Sequence, residues 1–147
     1  MLQKLLFLFL ILQLTSCNQQ EHKHPIPKQK PESFTTFFHQ FTTDSVFQRS
    51  RTVLPLDYYS INWEREDAYS EELINTPIPA AEYGFLDLTW HDSLGSRQFD
   101  AYTQEFRQSG DTMKVIFMGV DNGIHSEYWF LLKKSRWWFI RALDVST

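Results

Sequence analysis

The chain has 147 residues, of which 42% are hydrophobic and 16% aromatic, a composition typical of a packed core and not of a disordered segment. Of its 14 basic and 18 acidic side chains, 4 and 2 lie in residues 1–32, which leaves 10 basic and 16 acidic side chains in residues 33–147. This acidic balance argues against a nucleic-acid-binding face, so no nucleic-acid partner is expected. The single cysteine excludes an intramolecular disulfide.

Residues 1–16 have the layout of a secretory signal peptide, with the positive charge of Lys4, the apolar run Leu5–Leu12 and small residues after it. The sequence Leu14-Thr15-Ser16-Cys17 resembles the bacterial lipobox. This resemblance implies that Cys17 receives a diacylglycerol on its sulfur, that the chain is cut before Cys17 and that the new amino group is acylated. The alternatives are an ordinary signal peptide with a chance cysteine, or a buried core helix. Because two or three acyl chains anchor stably, we expect Cys17 to hold the protein at a membrane.

Residues 17–32 are predicted to be the lipidated cysteine and a flexible tether. The segment has three prolines and almost no aliphatic residue, so it cannot bury enough surface to fold. In enterobacterial lipoproteins, aspartate directly after the cysteine favours retention in the inner membrane. This chain has Asn18 there, which resembles the outer-membrane pattern. The expected localisation is therefore the cell envelope, lipid-anchored, at the outer membrane.

Residues 33–147 are predicted to form a single domain that begins with two helices. The phenylalanines of Phe34–Phe41 recur at helical spacing, which predicts the first helix. Asp44 can cap a second, short helix through Ser45–Arg51. Its apolar residues Val46 and Phe47 are expected to point inward.

The middle of the chain gives weaker signals. Val53–Tyr59 is predicted to be an edge strand or extended segment, because Pro55 cannot donate a ladder hydrogen bond. Trp63–Glu72 is charged and predicts an exposed loop. Ala80–Leu86 follows two prolines and predicts one short helix.

A meander of four antiparallel strands is predicted at Phe99–Gln108, Met113–Val120, His125–Lys133 and Trp137–Leu143. Asn122-Gly123 is a strong signal for a two-residue type I′ turn, and pairing around it puts Phe117 opposite Tyr128 and Val115 opposite Phe130. Helices followed by an antiparallel sheet indicate an α+β domain.

These patterns resemble a known family in two places. One is the helical pattern Phe34-x-x-Phe37-Phe38-x-x-Phe41 with the segment that follows Asp44, and the other is the closing pair Tyr128-x-Phe130 and Lys134-Ser135-Arg136-Trp137-x-Phe139. They resemble an uncharacterised lipoprotein family of the Bacteroidota and, more broadly, the NTF2-like (cystatin-like) fold, over residues 33–145. The resemblance implies N-terminal helices packed on a curved four-stranded antiparallel sheet, with a cone-shaped cavity between them. It implies no particular activity, because that fold hosts enzymes, transport adaptors and binding modules.

Motifs of catalysis and metal binding do not occur in this sequence. It has no glycine-rich phosphate loop, HExxH or CxxC motif. Trp90-His91-Asp92-Ser93 contains the residue types of a hydrolase triad, but adjacent residues cannot converge as a triad must. The five histidines lack the spacing of a zinc site. We therefore predict no catalytic residue, no metal and no cofactor.

One candidate ligand site lies on the predicted inner face of the sheet. Arg141 has the same strand alternation as Trp137, and Tyr128 lies beside them on the neighbouring strand. Tyr102 and Glu105 can reach them from the first strand of the meander. Three interpretations stay open: a structural pair between Arg141 and a carboxylate, a site for an anionic ligand, or a catalytic site with Glu105 as base.

The opposite alternation puts four large apolar residues on the other face of the sheet: Trp129, Leu131, Trp138 and Ile140. Monomers seldom expose such a group, so we expect an interface with a second copy or another envelope protein. Alternatively, Trp63–Glu72 or Ala80–Leu86 folds over this face. The leading hypothesis is a non-enzymatic, lipid-anchored binding or assembly module, and the alternative is a cavity protein that binds or transforms a small anionic ligand.

Overall fold

The computed structural model describes residues 30–62, 72–89 and 101–147. The described elements, in chain order, are α1 (Phe34–Thr43), α2 (Ser45–Ser50), β1 (Thr52–Ile61), β2 (Leu73–Asn75), β3 (Tyr102–Ser109), β4 (Thr112–Gly119), β5 (His125–Lys133) and β6 (Arg136–Asp144). The predicted α+β class is confirmed. Neither described helix is long and apolar enough to cross a membrane.

The sheet has six strands in the order β2-β1-β6-β5-β4-β3. The predicted four-strand meander is present as β3 to β6, but a four-stranded antiparallel sheet is wrong, because β1 adds to β6 in parallel and β2 adds to β1. The ladder between β1 and β6 is interrupted between Thr52 and Asp57, where Pro55 lacks an N–H group. That proline made β1 resemble an edge strand. Parallel strands are not joined by a tight turn, so no local turn signal predicted the pairing of β1 with β6.

The register of the β4–β5 hairpin differs from the predicted one by two residues. Val115 pairs with Tyr128 and Met113 with Phe130. The shift is even, so every side chain stays on the predicted face of the sheet. The predicted two-residue turn at Asn122-Gly123 is therefore wrong.

A longer loop connects β4 and β5. The Gly119 N–H donates to the Ile124 carbonyl oxygen, and the Asn122 side-chain oxygen accepts from the Ile124 N–H. A Cβ atom at Gly123 would lie 2.2 Å from the Thr147 carbonyl oxygen. Gly123 is thus needed for the close approach of the C-terminal residues and not for a type I′ turn.

The core lies between α1 and the inner face of the sheet, which is the face toward this helix. The ring centre of Phe130 lies 5.1–5.8 Å from those of five other phenylalanines: Phe34, Phe37, Phe38, Phe41 and Phe139. Phe37, Phe41, Phe130 and Phe139 are at most 1% exposed. At this end of the sheet, aromatic rings fill the space that the resemblance assigned to a cavity.

The second helix is capped as predicted but faces differently. The Asp44 carboxylate accepts from the Val46 and Phe47 N–H groups at 2.9 Å each. Val46 is 78% exposed, so its predicted inward position is wrong. Phe47 packs against the core as predicted, and the neighbouring Gln48 is fully buried.

The predicted helix at Ala80–Leu86 is wrong, because Gln48 holds this segment in an extended form after one turn. The Gln48 side-chain NH₂ donates to the Leu86 carbonyl oxygen at 2.8 Å, and its oxygen accepts from the Leu86 N–H at 2.8 Å. The same oxygen accepts from the Tyr83 hydroxyl at 3.1 Å. The segment packs on the core and does not cover the opposite face of the sheet. The predicted loop Trp63–Glu72 lies, except for Glu72, outside the described residues.

Candidate functional site

An apolar groove lies on the outer face of the sheet, which is the face away from α1. Its floor and walls are formed by Val53 from β1, Leu131 from β5, and Trp138 and Ile140 from β6. The groove has a volume of about 680 Å³. Leu131, Trp138 and Ile140 are half-buried, and Val53 is 48% exposed. Three of the four residues predicted to form an interface thus line one depression, and whether they bind a partner stays a prediction.

The hairpin between β5 and β6 shapes one end of the groove. Lys134 and Ser135 have positive φ angles of 51° and 62° between the paired residues Lys133 and Arg136. Two residues of positive φ are the conformation of a type I′ turn, which suits the twist of the flanking strands. The tight turn keeps Leu131 opposite Trp138.

Three cationic side chains lie beside the apolar floor of the groove at this turn. Lys133, Lys134 and Arg136 are exposed and line the groove. Among the residues that the structure describes, none of the three is in an ion pair. The groove therefore offers apolar surface next to positive charge, a combination that suits an amphiphile with an anionic group.

Glu32 fastens the start of the described chain to the same hairpin. Its N–H donates to the Ser135 carbonyl oxygen at 3.0 Å, and its carboxylate accepts from the Trp137 N–H at 2.9 Å. Its carboxylate also pairs with Arg51, whose guanidinium carbon lies 5.5 Å from the Trp138 ring centre. Sequence reasoning placed Glu32 in the tether and missed this contact, because its partner Trp137 is 105 positions away.

The other half of the outer face carries charged side chains. The Lys114 ammonium lies 4.8 Å from the Trp129 ring centre and 2.8 Å from a Glu127 oxygen. Ile116, on the same face, is only 2% exposed. Trp129, the fourth predicted interface residue, thus lies on the outer face beside this ion pair and outside the groove.

Arg141 lies on the outer face, so its predicted position on the inner face is wrong. The pairing of β5 with β6 shifts between Trp129 and Phe130, where a β-bulge adds one residue to β6. The extra residue reverses the alternation beyond it, so Ala142 points inward in place of Arg141. The Arg141 guanidinium lies 3.5 Å from the Asp57 carboxylate. This exposed pair agrees with the first of the three interpretations, a structural pair between Arg141 and a carboxylate.

The other residues of the predicted ligand site are not brought together with Arg141. Tyr128 and Trp137 pack in or against the core, and Trp137 is 3% exposed. Tyr102 packs against the core from β3. The Glu105 carboxylate accepts two hydrogen bonds of 2.7 Å from Arg107, which holds the pKa of this exposed carboxyl below its usual value.

The far end of the inner face carries an acidic and phenolic cluster. The Ser126 hydroxyl donates to the Asp144 carboxylate at 3.3 Å, and these residues pair across β5 and β6. Burial raises the pKa of Tyr128, with a smaller contribution from the Asp144 charge, while a hydrogen bond with Ser126 lowers it. Burial and the same carboxylate raise the pKa of Tyr58. This cluster is negative, opposite in sign to the predicted anion site.

The buried tyrosines predict a loss of stability at alkaline pH. Burial also raises the pKa of Tyr83, so the folded chain keeps protons on Tyr83 and Tyr128 above the ordinary value of 10.0. Their contribution is complete below pH 10 and is lost as the pH rises toward the folded pKa values. Urea unfolding between pH 8 and 11 should therefore show less alkaline loss for Tyr128→Phe than for the wild type. Parallel pH profiles for the two proteins would contradict the burial argument.

Other candidate chemistry lies outside the described residues or is not found in them. Residues 30–62, 72–89 and 101–147 contain no group of three His, Cys, Asp or Glu side chains that could hold a metal ion. Cys17 and the segment Trp90-His91-Asp92-Ser93 lie outside the described residues.

The six-strand sheet with its helices on one face defines an NTF2-like α+β protein, and solved structures agree. An NTF2-like protein from Bacteroides fragilis NCTC 9343 matches with a TM-score of 0.55 and 20% identity, over 84% of this chain and 51% of the other. This chain therefore spans about half of the length of that protein. A protein from Bacteroides uniformis ATCC 8492 matches with a TM-score of 0.51 and 17% identity, over 78% of this chain and 77% of the other. At these identities the likeness shows the fold alone.

Sequence comparison identifies the family. Residues 18–144 match the family described as "Domain of unknown function (DUF4348)", and the chain belongs to this family. No curated protein matches the chain. The predicted resemblance to an uncharacterised NTF2-like family is thus confirmed, and the function must be inferred from the site.

Proposed function

We propose that this protein is a non-enzymatic, lipid-anchored binding module of the bacterial cell envelope, and that its binding surface is the groove on the outer face. The observation that carries this proposal is the contrast between the two faces of the sheet. Aromatic rings around Phe130 fill the inner side at the helix end, whereas the outer side has an apolar groove with three exposed cations. Exposed apolar surface with a polar rim is typical of sites that bind proteins, membranes or ligands.

The anchor is the second part of the proposal. It is supported by the lipobox-like sequence Leu14-Thr15-Ser16-Cys17 after an apolar run, and Asn18 favours the outer membrane. The tether would join the domain at Glu32, which is held by the β5–β6 hairpin. A lipid-anchored module needs no membrane-spanning element of its own.

The alternative hypothesis is an inner-face cavity that binds a small anionic ligand. A buried anion requires a cation or several donors around it. The bulge in β6 turns Arg141 away from the inner face, and Asp144 adds negative charge there. The described residues therefore favour the outer groove as the binding surface.

Loss of the lipid is the direct test of the anchor. We expect Cys17→Ala to abolish the incorporation of labelled palmitate and to shift the protein from membranes to the soluble fraction or leave an uncleaved precursor. Ser16→Ala is the matched control, because it keeps a small residue before the cysteine. A Cys17→Ala protein that matures and fractionates like the wild type would refute the anchor.

Three occupants suit an apolar face on such a module: a second copy of the chain, another envelope protein, or the membrane surface. All three bury the groove, but they differ in the charge that they bring to Lys133, Lys134 and Arg136.

A further inference from the structure

We infer that the β5–β6 hairpin end of the domain docks on a bilayer surface that carries anionic phosphate headgroups, an inference that rests on the proposed lipid anchor. In this arrangement, Lys133, Lys134 and Arg136 contact the headgroups. The side chains of Val53 and Trp138 reach the interfacial layer beside them.

Charge complementarity is the first argument. Lys30, Lys133, Lys134 and Arg136 are exposed at this end of the domain. In the described part of the chain, the acidic residues that contact this end of the hairpin are Asp111, whose carbonyl oxygen accepts from the Leu132 N–H, and Glu32, whose carboxylate is paired with Arg51. The region is therefore positive although residues 33–147 have 10 basic and 16 acidic side chains. An anionic surface attracts this end and repels the rest, which fixes the orientation of the domain.

The point where the chain enters the domain is the second argument. The Glu32 N–H is hydrogen-bonded to Ser135 in the turn between Lys134 and Arg136, so the preceding residues leave the domain from the hairpin end. A lipidated Cys17 lies 13 residues before Lys30 in the sequence. A chain of that length spans roughly 20 Å as a flexible coil and about 40 Å when prolines keep it extended. The anchor thus brings the hairpin end closer to the lipid headgroups, on average, than the opposite end of the domain.

The apolar lining of the groove is the third argument. Val53 is 48% exposed, and Trp138 and Leu131 are half-buried in the groove that the three cations also line. Tryptophan rings favour the interface between headgroups and acyl chains because they are both apolar and able to donate a hydrogen bond. Cations beside such residues are the usual combination on surfaces that lie on anionic membranes.

The same charges disfavour a second copy in the groove. A two-fold contact through the groove would place the same patch of one copy against that of the other. If the two-fold axis passed through the hairpin turn, Lys133, Lys134 and Arg136 would face their own equivalents across the contact, and like charges repel. Phosphate headgroups supply the opposite charge without this cost.

The test uses the mature lipidated protein reconstituted in vesicles of phosphatidylcholine, with or without 30 mol% phosphatidylglycerol. A nitroxide is attached to Val53→Cys, and its membrane depth and water accessibility are measured by EPR. Val46→Cys is the matched control position, because this valine is 78% exposed and lies on α2. Flotation of the vesicles first establishes that the protein is anchored.

We expect the label at residue 53 to be at headgroup depth only when phosphatidylglycerol is present, and the label at residue 46 to stay in water. A basic residue near an anionic surface contributes about 1 kcal/mol, so Arg136→Gln should lower the ratio of docked to free domain about fivefold. The triple change Lys133→Gln, Lys134→Gln and Arg136→Gln should lower it on the order of 100-fold. Arg107→Gln, which removes an exposed cation of β3, should leave it unchanged. Circular dichroism confirms that the variants are folded.

The other outcomes overturn the inference in distinguishable ways. Failure of the protein to float with vesicles refutes the anchor itself. An anchored protein whose residue 53 stays in water on anionic vesicles refutes docking but leaves the anchor intact. Protection of residue 53 on both kinds of vesicle, with dipolar coupling between labels, would assign the groove to a second copy.

Discussion

Phe130→Ala is expected to unfold the domain or bring it close to unfolding. The Phe130 side chain is fully buried and its ring lies between α1 and the rest of the inner face. Truncating a buried phenylalanine to alanine costs about 3–5 kcal/mol, because apolar contacts are lost and a cavity remains. That cost is comparable with the whole stability of many domains, about 5–15 kcal/mol. Thermal and urea unfolding of the variant, followed by circular dichroism, measure the effect.

Two companion variants make the result interpretable. Phe130→Leu keeps most of the volume and should remain folded with a smaller loss of stability. Phe85→Ala removes a ring that is 48% exposed and should change the free energy of unfolding far less. Equal melting temperatures for the wild type and Phe130→Ala would contradict the central position of this ring.

Long periodic patterns were predictable from the sequence. The spacing of the phenylalanines in Phe34–Phe41 identified α1, and the alternation in β4, β5 and β6 identified the meander. The β4–β5 register was wrong by two residues, yet the faces were correct, because an even shift leaves alternation unchanged. The hydrophobic periodicity therefore predicted which side chains form the core, but it did not predict the length of the β4–β5 turn.

Two kinds of feature were not predictable from the sequence: a single extra residue within a strand, and contacts with residues far away in the chain. A bulge beside Ile140 moved Arg141 to the outer face, and no residue type there marks a bulge. The turn between Lys133 and Arg136 lies where the predicted strands placed it, but its two positive φ angles were not marked by composition, since Asn122-Gly123 has the stronger turn composition. Gly123 instead accepts a hydrogen bond from the Thr147 N–H, a distant contact that local turn preference cannot predict.

Of the candidate groove, only part of the apolar lining could be predicted from the sequence. Leu131, Trp138 and Ile140 followed from alternation, whereas Val53 came from a strand whose pairing was not foreseen. The three cations were visible in the sequence, but their relation to the point of chain entry required the hydrogen bonds of Glu32.

Gln48→Met is the second change with a large expected effect, although it nearly conserves side-chain volume. Gln48 is 0% exposed, and its amide makes four hydrogen bonds. Two of them hold the backbone of Leu86, and the other two involve the Phe41 carbonyl oxygen and the Tyr83 hydroxyl. A thioether cannot replace the amide as donor and acceptor, so two buried hydrogen bonds and two half-buried ones are lost.

Each unsatisfied buried group costs about 1–3 kcal/mol, so Gln48→Met should lower the free energy of unfolding by about 3 kcal/mol or more. Gln40→Met changes the same residue type on the exposed side of α1 and should be nearly neutral. Hydrogen exchange separates a local effect from a global one. If Gln48 fastens the segment 83–88 to α2, the Leu86 amide will exchange faster in Gln48→Met even where the sheet amides stay protected. A variant with wild-type stability and an equally protected Leu86 amide would show that this hydrogen-bond cluster does not hold the segment.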